Sequence, residues 1–392
     1  MTPGERVGRI RLARAEGVGP IAFRRLLDRY GDAEAAIAAL PELARAGGRG
    51  RAPRVPSAAD AGREEAAVAA IGGRLLVQGE PDYPPLLALL ADAPPLFAVL
   101  GDVSALSARA VALVGARNAS VNGSRMAETL AEGVASAGLV VVSGLARGVD
   151  AAAHRGALRA TAGRTVAAVA GGLDCPYPPE HAGLQAAIAA QGAVLSEAPL
   201  GTAPQARHFP RRNRVIAGLA LGCVVVEAAP RSGSLLTARL AQEAGREIFA
   251  VPGSPLDPRA RGCNDLLRQG ATLTETAADV LDNLPDHPAR EGVGRLPLFR
   301  RRARGFAEGA PGFEPTVPEP DPAPAVMARA RADIPDLLDA APVSVDELIR
   351  RCHFPATAVI TVLLELELAG RVETLPGNRV ARIAEPPYST FR

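Results

Sequence analysis

The sequence contains no lysine: all 44 of its Lys/Arg residues are arginine. A Walker-type phosphate loop needs a lysine for its phosphates, and a Schiff-base enzyme needs one as nucleophile. Both chemistries are excluded. Cysteine is scarce as well. Cys175, Cys223, Cys263 and Cys352 lie far apart and form no CxxC pair. That points away from a zinc site or disulfide framework and toward buried thiols in a reducing compartment. The N-terminal stretch MTPGERVGRIRLARAEG has no continuous apolar core, so no signal peptide is expected. No run of about 18 apolar residues occurs, so no membrane span is expected either. Together these absences predict a cytoplasmic protein. An overall electrostatic field is also missing. The net charge is only +2, so a polyanion site has to come from local clustering of arginines.

What is present is length and apolar material. The 392 residues are 48% hydrophobic and 22% charged, enough for two or three domains and a large core. Residues 6–46 read as helices broken at Gly17-Val18-Gly19-Pro20. Helices around a Gly-x-Gly turn resemble a helix–hairpin–helix, in which turn amides and the next helix start can face a phosphate. A plain helical hairpin fits the same residues. Residues 47–62 form a Gly/Pro/Arg-rich loop, and an N-terminal helical domain is expected over 1–73.

From 74 to 285 short apolar runs recur, each closed by Gly or Ser and followed by an amphipathic segment. They are AVALVG (110–115), LVVVSG (139–144), TVAAVAGG (165–172), AVLSEA (193–198), CVVVEA (223–228) and EIFAVPG (247–253). Runs without alternation suit parallel strands covered on both faces. The expected fold class is α/β, a doubly wound, extended Rossmann-like parallel sheet. Residues 286–325 are rich in Pro, Gly and charge and read as a linker. Residues 326–392 carry three helices and a two-strand wing with a turn at Pro376-Gly377-Asn378, a winged-helix pattern. Its presumed recognition helix holds Glu365 and Glu367 and no arginine before Arg371. A major-groove reader presents cations and amides there, so a partner-contact or regulatory role is the better expectation.

Open α/β sheets bind ligands beyond the carboxyl ends of their strands, near the switch in strand order. The first strand ends in Gly115-Ala116-Arg117-Asn118 and the second in Ser143-Gly144-Leu145-Ala146-Arg147-Gly148. The fifth is followed by Arg231-Ser232-Gly233-Ser234, which opens a helix, and the sixth ends in Pro252-Gly253-Ser254. Glycine admits a ligand close to the backbone, and helix starts aim N–H groups at anions. The stretch RHFPRRNRVIAG (207–218) brings Phe209, Arg211, Arg212, Asn213 and Arg214 to the same edge. Residues 211 and 214 share a helix face, so those two arginines are expected on phosphates, with Phe209 stacking a base. A spread-out cationic edge with one aromatic suits a single-stranded polynucleotide. The GxGxxG dinucleotide fingerprint is absent.

Asp150, His154, Asp174, His181, Glu197 and Glu227 are the candidate acids and bases. His154, four residues after Asp150, reads as a capping or core-packing histidine. Glu227 reads as an ion-pair partner that positions Arg231. No metal triad, nucleophile elbow or Ser/His/Asp order appears, so neither a catalyst nor a cofactor is expected.

The motifs VGARN (114–118), SGLARGVDAAAHRGAL (143–158), GGLDCPYPPEH (171–181), FPRRNRVIAG (209–218), SGSLLTARLAQEAGREIFAVPGS (232–254) and RGCNDLLRQGA (261–271) resemble the DNA-processing protein A family, DprA, also called Smf. The resemblance runs through 74–285, and the flanking modules match the family's usual helical and winged-helix domains. It implies an extended Rossmann fold without a nucleotide cofactor. It implies a DNA site formed by Gly115, Arg117, Asn118, Ser143, Gly144, Arg147, Phe209, Arg211, Asn213, Arg214, Ser232, Gly233 and Ser234. It further implies a homodimer that binds single-stranded DNA, protects incoming strands and loads the RecA recombinase onto them during natural transformation. Family members often carry lysines near this pocket, and here arginine has to make any such contact. The rival reading is an enzyme like the nucleoside-monophosphate phosphoribohydrolases, with a phosphate on Ser232-Gly233-Ser234 and Thr237 and Glu227 as the catalytic carboxylate.

Overall fold

The computed structural model describes residues 1–285, 322–375 and 378–383. The expected linker lies outside the described residues as far as 321, and so does the wing turn at Pro376-Gly377. The chain forms two compact units, Met1–Ile10 with Ser57–Val293, and Arg11–Pro56 with Gly294–Arg392.

The first unit is built on nine strands. They are β1 (Gly73–Val77), β2 (Leu96–Gly101), β3 (Ala110–Gly115), β4 (Val140–Ser143), β5 (Thr165–Ala168), β6 (Ala193–Ser196), β7 (Gly222–Val226), β8 (Glu247–Ala250) and β9 (Thr272–Leu273). Their order across the sheet is β1-β2-β6-β5-β4-β3-β7-β8-β9. All pairs from β6 to β9 are parallel. The pairs β2–β6 and β1–β2 are antiparallel. The chain winds outward from β3 to β6 and then returns to β7 on the other side of β3. The switch point therefore lies between β3 and β7, where Gly115 pairs with Val226.

The six apolar runs are β3 to β8, and their lack of alternation has a direct cause. Successive side chains point to opposite faces, and both faces are covered. Ala110, Ala112 and Val114 pack on one side with Val215, Ile216, Leu219 and Ala241. Val111 and Leu113 pack on the other with Leu130, Val134, Val149 and Ala153. Helices His208–Leu219 and Gly233–Glu243 thus cover one face, and Val121–Ser136 and Val149–Arg159 cover the other. The doubly wound α/β architecture is the one the sequence predicts. The antiparallel edge β1–β2 is an addition to it.

The second unit holds helices Pro20–Tyr30 and Ala33–Ala46 together with a winged helix. The latter comprises helices Pro324–Asp333, Val345–Cys352 and Ala356–Leu368 and strands β10 (Val343–Ser344), β11 (Val372–Leu375) and β12 (Arg379–Arg382). The strands pair antiparallel in the order β10-β12-β11. Its core is formed by Ile334, Leu348, Val359, Val362, Leu366 and Val380.

Candidate nucleic-acid interface

At the switch point the loops after β3 and β7 approach closely. A Cβ on Gly115 would overlap the Val226 carbonyl, so only glycine fits there. Glu227, the residue just past β7, has a left-handed φ of 54°. Its Oε2 accepts the Ser120 N–H at 2.8 Å, and its Oε1 accepts the Ser120 hydroxyl. Ser120 Oγ in turn accepts the Gly123 N–H at 2.9 Å, capping helix Val121–Ser136. A carboxylate is favoured at a helix N-terminus, where unpaired N–H groups gather. Glu227 is therefore not the ion-pair partner of Arg231 that the sequence suggests. Arg231 is exposed, with a φ of 64°.

The helix His208–Leu219 enters the fold within its first turn. Arg212, Asn213 and Arg214 are all buried, with at most 8% exposure. Arg212 Nη1 donates to the carbonyl of Gly144, beyond β4, and at 2.9 Å to that of Ala168, at the end of β5. A Cβ on Gly144 would overlap this guanidinium. Asn213 donates to the Gly233 carbonyl at 3.3 Å. Arg214 donates to the Asp92 carbonyl and to the Glu197 carboxylate just past β6. The expected pairing of Arg211 and Arg214 on one outward face is thus corrected. From residue 212 the helix is buried all round, and its face periodicity no longer decides exposure. Arg211 is exposed, while Arg214 faces the protein's own carboxylate.

Beneath Arg212 lies a buried polar group. Burial raises the Asp150 carboxyl pKa, and Arg212 opposes that shift. Burial lowers the Arg212 pKa, with Asp150 opposing. His154 is fully buried, with Nδ1 2.7 Å from the Thr165 hydroxyl. That hydroxyl donates to the Val141 carbonyl at 2.6 Å, so Nδ1–H is the donor to Thr165. Burial, reinforced by Arg212, pushes the His154 pKa down to about 3. His154 is a neutral core histidine, as expected. His181 is also buried, with Nδ1 2.9 Å from the Leu145 carbonyl.

Phe209 remains half-buried at the rim. The Arg117 guanidinium sits over its ring, 4.8 Å from the centroid, and that of Arg212 lies at 5.7 Å. The Tyr177 ring meets it edge-on, 5.8 Å away and inclined by 67°. Tyr177 is 47% exposed, so the rim carries two aromatics where the sequence suggests one. Its signal lies in GGLDCPYPPEH, a loop at the carboxyl end of β5. Arg117, Asn118, Arg147 and Arg211 are exposed, with Arg147 paired to Glu180 at 2.6 Å. Ser143 is buried and donates to the Leu113 carbonyl at 2.6 Å, so it faces into the sheet. The Ser232 and Ser234 hydroxyls lie 2.8 Å apart. Ser232 makes no side-chain capping bond to helix Gly233–Glu243, and the space beside Gly233 is open.

Residues 74–285 match the family model described as DNA recombination-mediator protein A. Flanking matches cover 3–67, a DprA-like N-terminal HHH domain, and 318–378, a DprA winged helix domain. The chain belongs to the DNA recombination-mediator protein A (DprA/Smf) family. It is 39% identical over 305 residues to Protein Smf of Escherichia coli (strain K12), across 76% of this chain and 74% of that one. It is 45% identical over 199 residues to DNA processing protein DprA of Streptococcus pneumoniae, across 51% and 70%. The X-ray structure of DprA from Streptococcus pneumoniae aligns with a TM-score of 0.55 at 40% identity, covering 59% of this chain and 80% of that one. Among the described residues, no His/Cys/Asp/Glu group could hold a metal, and no helix is long and apolar enough to cross a membrane.

Buried Arg212 and buried His154 of this DprA/Smf chain each generate a stability prediction. Arg212→Met leaves Asp150 buried beside two unpaired carbonyls, and should cost about 3–5 kcal/mol in denaturant unfolding. A loss below about 1 kcal/mol would mean that Arg212 does not hold the helix. His154 sets a pH dependence. The unfolded chain takes up a proton below its ordinary value of 6.5 and the folded protein declines it down to about 3. Stability therefore falls as pH drops through that window, by up to about 1.4 kcal/mol per unit. His154→Gln should remove this contribution. Parallel stability–pH curves for variant and parent between pH 7 and 4 would contradict it.

Proposed function

We propose that this DprA/Smf chain binds single-stranded DNA along the carboxyl edge of its sheet and holds it as a recombination mediator, without turnover. One observation carries the reading. A rim cluster of half-buried Phe209 with exposed Tyr177 and Arg117 stands on the edge that also holds the open start of helix Gly233–Glu243. Unpaired bases can stack on such rings, whereas duplex bases are already stacked on each other. Arg117, Arg211 and the first amides after Ser232 are the proposed phosphate partners. Asn118 and Arg147 flank them, and the Ser232 and Ser234 hydroxyls add donors. Gly115, Ser143, Gly144, Asn213 and Arg214 are proposed to shape the edge from within.

A homodimer in the cytoplasm, protection of incoming strands and loading of RecA complete the proposal and rest on family membership. The hydrolase reading has less support. Its only candidate carboxylate, Glu227, has both oxygens engaged by Ser120.

Anisotropy titrations of a labelled oligonucleotide against salt test the site. Phe209→Ala should weaken single-strand binding roughly 5- to 150-fold, the worth of about 1–3 kcal/mol of stacking. Its log–log salt slope should stay unchanged. Arg117→Ala and Arg211→Ala should weaken binding and also reduce the slope by about 0.7 for each phosphate no longer neutralised. Equal affinity for duplex, or affinity insensitive to salt, contradicts the proposal.

A further inference from the structure

The second unit contains a contact that the proposed single-strand site does not need. A helix–hairpin–helix offers its turn amides and the start of its second helix to a phosphate. Here one side of that turn packs against another helix, although Gly17 itself stays exposed. Glu367 Oε1 lies 3.1 Å from where a Cβ on Gly19 would stand, and the Leu368 carbonyl lies 3.2 Å from the same point on Gly17. Arg49 donates to that carbonyl at 3.2 Å, and Arg29 to the Thr361 hydroxyl at 3.3 Å. Arg25, in the helix that follows the turn, is the basic neighbour of Glu367.

The covering element is helix Ala356–Leu368, which a winged-helix domain ordinarily presents to the major groove. It is enclosed on two sides. Val359, Val362 and Leu366 are buried in the winged helix's own core. Leu364 and Leu368 are buried among Phe23, Leu26, Leu40 and Leu43 of the hairpin. Glu365 is only 2% exposed and is held by Arg331 through two bonds of 2.9 and 2.7 Å. Glu367 is partly buried and accepts the Thr374 hydroxyl at 3.0 Å.

Gly47 shows that this packing is written into the sequence. Its backbone lies at φ −74°, ψ 0°, a conformation open to any residue. A Cβ there would nevertheless overlap the Glu365 carbonyl and stand 2.9 Å from the Ala369 Cβ. The docked helix demands the glycine; its own backbone does not.

We propose that helix Ala356–Leu368 is the resident occupant of the hairpin's phosphate-facing turn. Glu367 places a carboxylate where a duplex phosphate would lie, and the hairpin in return buries one face of that helix. The Gly19 side of the turn stays occupied until the two part. The proposal does not depend on the single-strand reading, which uses residues of the sheet.

Two full-chain variants test it from opposite sides. Gly47→Leu wedges the hairpin off the helix, and Leu364→Glu places a charge in the hairpin core. Amide hydrogen exchange at 17–19 and 364–369 should accelerate in each. Affinity for a labelled duplex should rise about tenfold or more, while single-strand affinity should stay within about twofold. Unchanged duplex affinity after exchange has accelerated would overturn the proposal. So would unchanged exchange in both folded variants. Collapse of the second unit in both would show one inseparable core and overturn it equally.

Discussion

The carboxyl edge of the sheet depends on one buried guanidinium. Taking a charge out of water costs several kcal/mol unless hydrogen bonds and a counter-charge replace the lost solvation. Arg212 finds both, in carbonyls just beyond β4 and at the end of β5 and in the nearby carboxyl of Asp150. Those bonds hold the helix His208–Leu219 against the strand ends. Phe209, three residues earlier, is therefore fixed at the rim with Arg117 over its ring. The arrangement explains why a sequence without lysine loses nothing here. A guanidinium stays charged when buried, and its rigid fork spans several acceptors, whereas an ammonium titrates readily on burial.

Much of the fold was legible, for a physical reason. Strands β3 to β8 are covered on both faces, so their continuous apolar runs stand out from amphipathic helices. Strands β1 and β2 did not stand out. The segment that joins them, with its own apolar run PPLLALLADAPP, blurs their boundaries. The site was legible in outline only. Glycines and arginines at strand ends located the edge, because an α/β sheet puts its ligands there. Which arginine faces solvent was not legible. Helical periodicity separates 211 and 214 from 212, yet the helix is swallowed by the fold before that periodicity can act. Tyr177 and Phe209 are 32 positions apart, and only the topology β5-β4-β3 beside helix His208–Leu219 brings their rings together. The role of Glu227 is hidden for a related reason: its nearest donors belong to a residue 107 positions away.

The two proposals use charge in two ways. On the sheet, charge that could have met phosphate is partly turned inward to build a rim, and a few side chains are left outside to use it. In the second unit, an acidic helix packs against one side of a hairpin turn. As proposed, both arrangements leave the rim, with half-buried Phe209 and exposed Tyr177, to a strand whose bases are free.

The most direct test is photocrosslinking of single-stranded oligonucleotides carrying 5-iodouracil, with attachment sites mapped by mass spectrometry. The modified base joins preferentially to aromatic side chains stacked on it. The account predicts adducts on Phe209 and Tyr177, suppressed by unlabelled single strand but not by duplex. Adducts confined to the winged helix or to the N-terminal hairpin, with none on peptides carrying Phe209 or Tyr177, would contradict it.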